Sequence, residues 1–335
     1  MNGRERIKHF LRGNPVDSSP CMPITMMFAA DLISESYKKY ATDAKTHVKG
    51  QVAVAEAFDL DYVSAISDPA TEAHDWGAEV IWFDDQPPAT NEAHALISDK
   101  SALLKLIPPD PYTGKRMSNR LEVVSGLKAA CGDTRLIEGW VEGPAAEASD
   151  LRGINHIMLD CMDDPSFVSD MFALVNETAI KFALAQIEAG ADIIGFGDAA
   201  ASLFGPALYE ELIWEHEKKL VEAIHKAGAL ARLHICGNTS SICKMMAATG
   251  ADILDIDSLV TPEDARRETG PEAVLLGFVD PVRILMNGNK RLISKELEVC
   301  RDVAGPRFIY GAGCEVPRGT PHRNLKALVQ FAREN

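Results

Sequence analysis

Short apolar runs alternate with longer amphipathic stretches along this chain, and that alternation predicts its architecture. Runs rich in aliphatic and β-branched residues occur at Met22–Met26, Asp61–Ile66, Leu136–Val141, Asp192–Phe196, Leu230–Ile235, Ile253–Ile256, Val274–Phe278 and Arg307–Tyr310, giving eight candidate strands. The later intervals carry helical periodicity. In Tyr209–Ala227, Leu212, Ile213, His216, Leu220, Ala223 and Ile224 recur opposite Glu210, Glu217, Lys218 and Glu222. Strands alternating with such helices pair in parallel, so the chain is expected to be an α/β protein. Eight units with no obvious linker predict a closed (β/α)8 TIM barrel, a single domain over residues 1–335 with an N-terminal helical extension. The stretch from Asp84 to Lys115, carrying Pro87, Pro88, Pro108, Pro109 and Pro111, predicts an excursion after the second strand that caps one end of the barrel.

Composition narrows the function. The chain has 335 residues, 46% of them hydrophobic, which is ample for a large buried core. It carries 49 acidic and 34 basic residues, a net charge of −15, with no Lys/Arg-rich block, and this argues against a nucleic-acid partner. No uncharged apolar stretch approaches the roughly 18 residues that span a bilayer, and no apolar signal region follows Met1, so no membrane partner and a cytoplasmic location are expected. The seven cysteines are an odd number in a chain too long to need disulfide staples, and reduced thiols are expected. Cys21, Cys131, Cys161, Cys243 and Cys300 sit in apolar or helical settings and read as small buried hydrophobes.

In a TIM barrel the chemistry sits at the C-terminal ends of the strands. Asp68 follows the second run, Glu142 the third, Asp198 the fourth, Asp257 the sixth and Asp280 the seventh. His234 and Cys236 end the fifth, and Cys314 follows the eighth. His234 and Cys236 are two apart on a strand, so their side chains point the same way. Gly311 and Gly313 permit the tight backbone that would bring Cys314 to a third vertex. One imidazole and two thiols make a three-ligand zinc site with an open position, the pattern of catalytic rather than structural zinc. A thiol reaching that position would lose its proton, and an ether or alcohol oxygen would be polarised, both of which suit methyl transfer. Glu142, Asp198 and Asp257 are expected to act at this mouth, and Met26, Met27 and Asp68 to line the substrate pocket. Glu142, Asp257 and Glu315 all remain open as a displaceable fourth ligand. The run Gly195-Phe196-Gly197-Asp198-Ala199-Ala200 imitates a dinucleotide fingerprint, but it lies at the fourth run and not at the opening turn of an open sheet.

These residues carry a resemblance. Arg4-Glu5-Arg6, Leu11-Arg12-Gly13, Ser67-Asp68, Ala189-Gly190-Ala191-Asp192, His234-Ile235-Cys236-Gly237 and Gly313-Cys314-Glu315-Val316-Pro317 with Thr320-Pro321 resemble the uroporphyrinogen decarboxylase superfamily, specifically its zinc-dependent corrinoid methyltransferase branch. The resemblance runs over nearly the whole chain. It implies zinc on His234, Cys236 and Cys314, and a cobalamin cofactor carried by a partner corrinoid protein. It also implies a small methyl donor or thiol acceptor, while leaving the direction of transfer and the oligomeric state open, a possible homodimer included. The runner-up is a metal-free tetrapyrrole decarboxylase. Such enzymes need arginines on the N-terminal segment for a polycarboxylate substrate, and here no arginine occurs from Gly13 to Lys115. A third reading is a non-catalytic module whose zinc has four protein ligands.

Overall fold

The computed structural model describes residues 1–335. Seven of the eight expected strands form one curled parallel sheet. They are β1 (Tyr62–Ser64), β4 (Leu136–Glu142), β5 (Ile193–Gly197), β6 (Leu230–Ile235), β7 (Ile253–Ile256), β8 (Leu275–Val279) and β9 (Phe308–Ala312), hydrogen-bonded in that order. Between β1 and β4, β2 (Val80–Ile81) and β3 (Ala89–Thr90) make a small antiparallel hairpin. Helices follow most strands and cover the outside, as the amphipathic intervals require.

The first expected strand, Met22–Met26, is corrected. This segment makes only one isolated parallel bridge, Cys21 to Tyr310, and Met26 already begins the helix Met26–Leu32. Pro20 and Pro23 explain the loss, because neither can donate to a ladder. The barrel still closes here by other bonds. Met22 donates to the Tyr310 carbonyl at 2.8 Å, and Tyr310 to that of Pro20 at 3.0 Å. On the β1 side the Tyr62 hydroxyl reaches the Pro23 carbonyl and the Cys21 amide reaches Asp61, each at 2.8 Å.

The N-terminal helix Gly3–Leu11, started by a capping box between Asn2 and Glu5, seals the bottom of the barrel. Its Ile7 and Phe10 join a buried cluster with Tyr62, Leu136, Ile193, Ile253, Leu276 and Ile309 from the strand beginnings. Arg4 and Lys8 on the same helix pair with Asp192 at the foot of β5. Above this apolar floor lies a charged layer. Arg232 on β6, 1% exposed, pairs with Glu138 of β4 at 3.1 Å and Asp255 of β7 at 2.6 Å. A buried cation held between two buried anions avoids the penalty of an unpaired charge.

The excursion contains the β2–β3 hairpin and the 3-10 turns Glu92–His94 and Lys100–Lys105, and ends where the helix Lys115–Cys131 begins. It packs on the helices after β4: Thr90 bonds Asp150 at 2.8 Å, and Arg152 bonds the carbonyls of Ile97 and Ser98, both at 2.8 Å. The chain between its two strands also touches the C-terminal end of the barrel, where Arg318 bonds the Asp85 carbonyl.

Candidate metal centre and active site

The parallel register aligns the site. Gly197 at the end of β5 stands beside His234 on β6, and His234 stands beside Asp255 on β7. His234 Nε2 lies 3.1 Å from Cys236 Sγ, and Cys236 Sγ lies 3.8 Å from Cys314 Sγ. All three donor atoms fall within 4.8 Å of one another, so the three expected metal ligands are brought together.

The backbone that delivers the thiols is tightly constrained. Gly237, at φ +93°, turns the chain directly after Cys236, and its amide is held by Asp257 Oδ2 at 2.9 Å. Gly313 lies against the Ser258 backbone, where a Cβ would overlap the Ser258 amide nitrogen. Cys314 therefore sits one residue beyond a position that only glycine fits.

Protonation within the trio is mutual. The hydrogen bond between the Cys236 and Cys314 sulfurs moves Cys314 down to about 5 although burial opposes it, and raises Cys236. Burial works against a charged His234, but the neighbouring Cys236 and Asp255 raise it well above the usual imidazole value. His234 Nδ1 faces Asp255, 3.2 Å from both its carbonyl oxygen and its carboxylate. A proton kept on Nδ1 leaves Nε2 to face the sulfurs, the arrangement that a carboxylate-oriented metal ligand adopts.

The donor set fits zinc. Two thiolates at about 2.3 Å from a tetrahedral ion stand about 3.8 Å apart, which is the sulfur separation found here. Two thiolates with one imidazole are a borderline-soft set that suits zinc better than magnesium or calcium.

A cavity of about 150 Å3 opens onto the trio, walled by Ile24, Met26, Ile66, Pro69 and Trp140 and by the carboxyl-bearing Asp68, Glu142 and Glu315. Gly195 and Gly197 leave room for the Trp140 ring, since a Cβ at Gly195 would overlap it. The glycines of the dinucleotide-like run therefore have a packing reason. The Trp140 indole donates to Glu142 Oε1 at 3.1 Å. Burial, then Glu72 and Asp150, hold Glu142 well above the ordinary carboxyl range.

The other expected residues are placed as follows. Asp68 lines the cavity and pairs with Arg116 Nη2 at 2.6 Å, so the arginine-free stretch ends at the residue that neutralises it. Met26 lines the cavity, whereas Met27 is absent from its wall and uses its amide to hold Glu315 Oε1 at 2.6 Å. Glu315 is pushed up to about 8 by burial. Asp198 lies outside the cavity wall, fully buried, and accepts from the amides of Ala145 at 3.4 Å and Ala146 at 2.6 Å. It thereby fixes the start of the helix Pro144–Arg152. Asp257 is likewise off the wall, bonding the Gly237 and Leu259 amides.

Sequence reasoning missed Arg232, Glu138 and Asp255 beneath the trio and Glu72 behind Glu142. Charged residues inside the apolar runs Leu-Ala-Arg-Leu-His-Ile and Ile-Leu-Asp-Ile, in phase with His234, were the available signal. Glu72 sits on the helix Ala70–Trp76, where nothing in the sequence distinguishes it from a solvent-facing acid; its Oε1 accepts from the Glu142 amide at 2.9 Å.

A TIM barrel with an imidazole and two thiols clustered at the C-terminal ends of its strands is thus the class that fold and site define. The chain belongs to the uroporphyrinogen decarboxylase (URO-D) family, whose model matches residues 2–335. It is 25% identical over 334 residues to the methylcobamide:CoM methyltransferase MtaA of Methanosarcina barkeri, covering 97% of this chain and 96% of that protein. It is 27% identical over 241 residues to the uroporphyrinogen decarboxylase of Streptomyces avermitilis, covering 70% of this chain and 65% of that protein. Among solved structures, a methyltransferase from Methanosarcina mazei superimposes with a TM-score of 0.87 at 23% identity, covering 100% of this chain and 99% of its own.

Proposed function

We propose that this protein is a zinc-dependent methyltransferase that moves a methyl group between a small methoxy, methylthio or thiol compound and the cobalamin of a partner corrinoid protein. The observation that carries this reading is the convergence of His234, Cys236 and Cys314 on a cavity sized for a small molecule. The near-complete coverage of a relative named a methylcobamide:CoM methyltransferase supports it, against the partial coverage of a decarboxylase. A cavity of about 150 Å3 without a lysine or arginine in its wall is also a poor host for a large polycarboxylate.

In this reading His234, Cys236 and Cys314 hold the metal, with Asp255 orienting the imidazole. Bound zinc would supply Lewis acidity to the heteroatom of the small compound that gains or gives the methyl group. The chain's own residues do the rest. Trp140, Met26, Ile24 and Ile66 exclude water from the small compound. Trp140 fixes Glu142 Oε1, and Glu142 Oε2 is the atom that exchanges a proton with the heteroatom as its charge changes. Met27 holds Glu315, Asp257 holds the turn after Cys236, and Asp198 holds the helix that follows Glu142. The cavity is far smaller than a corrin ring, so the partner protein must present its cobalt at the barrel mouth, where the partly exposed Cys236 and Cys314 lie.

The test is a corrin absorbance assay. Zinc-replete protein mixed with methylcobalamin and a small thiol should accelerate loss of the methylcobalamin band, and Glu142→Gln should slow it about 100-fold. A rate equal to that without protein, across thiols and methoxy compounds in both directions, would refute the proposal.

A further inference from the structure

A second pocket, of about 340 Å3, opens beside the excursion and shares no wall residue with the methyl-transfer cavity. Lys38 reaches it from the helix Tyr37–Thr42, His74 from the helix Ala70–Trp76, and Trp82 from the chain just past β2. Lys115, Arg116 and Asn119 come from the start of the helix Lys115–Cys131. No aspartate or glutamate lines this pocket, although the chain as a whole carries a net charge of −15. The neighbouring acids are already engaged. Asp68 pairs with Arg116 at 2.6 Å and Glu35 with Lys39 at 2.9 Å. Asp75 pairs with His74 at 2.9 Å and accepts from the amides of Arg116 and Met117. Lys38 and Lys115 are left without an ion pair, so the wall presents two uncompensated ammonium groups. Arg116 gives an independent sign of a ligand. It is 2% exposed, and its guanidinium lies 4.9 Å from the Trp82 ring centre. Nη2 makes all of its side-chain hydrogen bonds, to Ala41, Ser67, Asp68 and Thr71, while Nε and Nη1 are buried with no acceptor.

We propose that this pocket binds a phosphate group, either the free ion or one carried on a small molecule. A phosphate group carries a charge of about −1.5 to −2 at neutral pH, which matches the two unpaired ammonium groups. A single carboxylate would leave one of them uncompensated. Lysine ammonium groups act on phosphate oxygens as compact point charges, and charge-assisted bonds of this kind are stronger than neutral ones. Lys38 and Lys115 are exposed, so the anion keeps part of its hydration as it enters. The unpaired N–H groups of Arg116 gain an acceptor when an oxygen reaches the wall that this residue lines, which removes the cost of leaving buried donors unmade.

Calorimetric titration of the full-length protein with orthophosphate, glycerol phosphate and acetate tests this. Saturable binding of at least one of the two phosphates at about one site per chain is expected, with acetate at least about tenfold weaker. Orthophosphate as the tighter phosphate would identify the free ion, and glycerol phosphate as the tighter one a phosphate ester; either order supports the proposal. The double variant Lys38→Met with Lys115→Met changes only exposed side chains, and it should bind the preferred phosphate at least about tenfold more weakly while remaining folded by circular dichroism. No saturable binding of either phosphate, acetate binding as tightly as they do, or an unchanged affinity in the double variant would each overturn the proposal. The last result would place the phosphate elsewhere, at the metal for example. The pocket and the methyl-transfer site are tested apart, because the double variant should hold as much zinc as the wild type.

Discussion

Three carboxylates at strand ends have similar sequence contexts, yet their neighbours give them different work. Glu142 faces the cavity, Asp257 binds the turn after Cys236, and Asp198 is buried against the first amides of a helix. Sequence places all three at the C-terminal face but cannot separate a residue that touches substrate from one that positions backbone, because that depends on which amides come within reach after folding. Asp198 offers a measurable consequence. Burial raises it to about 7, from 3.8 in an unfolded chain. Between these values the folded protein keeps a proton that the unfolded chain releases. Its contribution to stability is therefore complete below about pH 4 and disappears as pH rises through 7. Wild-type thermal stability should accordingly fall from pH 5 to 8. Asp198→Asn should reduce that slope, by up to about 1.4 kcal/mol per pH unit, while zinc content stays unchanged. An unaltered slope in Asp198→Asn would show that Asp198 is ionised throughout, and loss of zinc would place it at the metal.

At the scale of elements, the apolar runs locate strands to within a residue or two, and β6 and β7 match their expected bounds. The exception is the first run, where Pro20 and Pro23 remove the donors a ladder needs; those prolines were visible, and the apolar content outweighed them. The helix expected over Tyr209–Ala227 forms, but opens with a π-helical turn at Tyr209–Ile213 before the regular helix Trp214–Lys226. The loop after β9 was legible in its chemistry, since Gly311 and Gly313 mark a close approach. Its target, the Ser258 backbone, was not, because that contact joins loops 55 residues apart in sequence. Gly313→Ala should force this loop away from Ser258 and carry Cys314 with it. We expect a folded protein that binds zinc at least about tenfold more weakly, the scale on which disturbed ligand support acts. Wild-type affinity by chelator competition would show that the loop tolerates a side chain there.

At the scale of the molecule, parallel order and the TIM barrel follow from alternating periodicities, and the strand ends then gather residues scattered from Ile24 to Glu315 around one cavity. The layer of Arg232, Glu138 and Asp255 beneath it escaped the sequence, since each charge looks costly alone and is explained only by the other two. That layer joins scaffold to site, because Asp255 neutralises Arg232 and also faces His234. No helix is long and apolar enough to cross a membrane. The proposed methyl transfer depends above all on the metal held by His234, Cys236 and Cys314. Elemental analysis of the wild type and of His234→Ala, Cys236→Ala and Cys314→Ala, each checked for folding by circular dichroism, tests it most directly. About one zinc per wild-type chain is expected, and its loss from all three folded variants. Wild-type protein purified from zinc-supplemented medium that carries no zinc, or variants that retain it, would contradict the assignment of these three residues as its ligands.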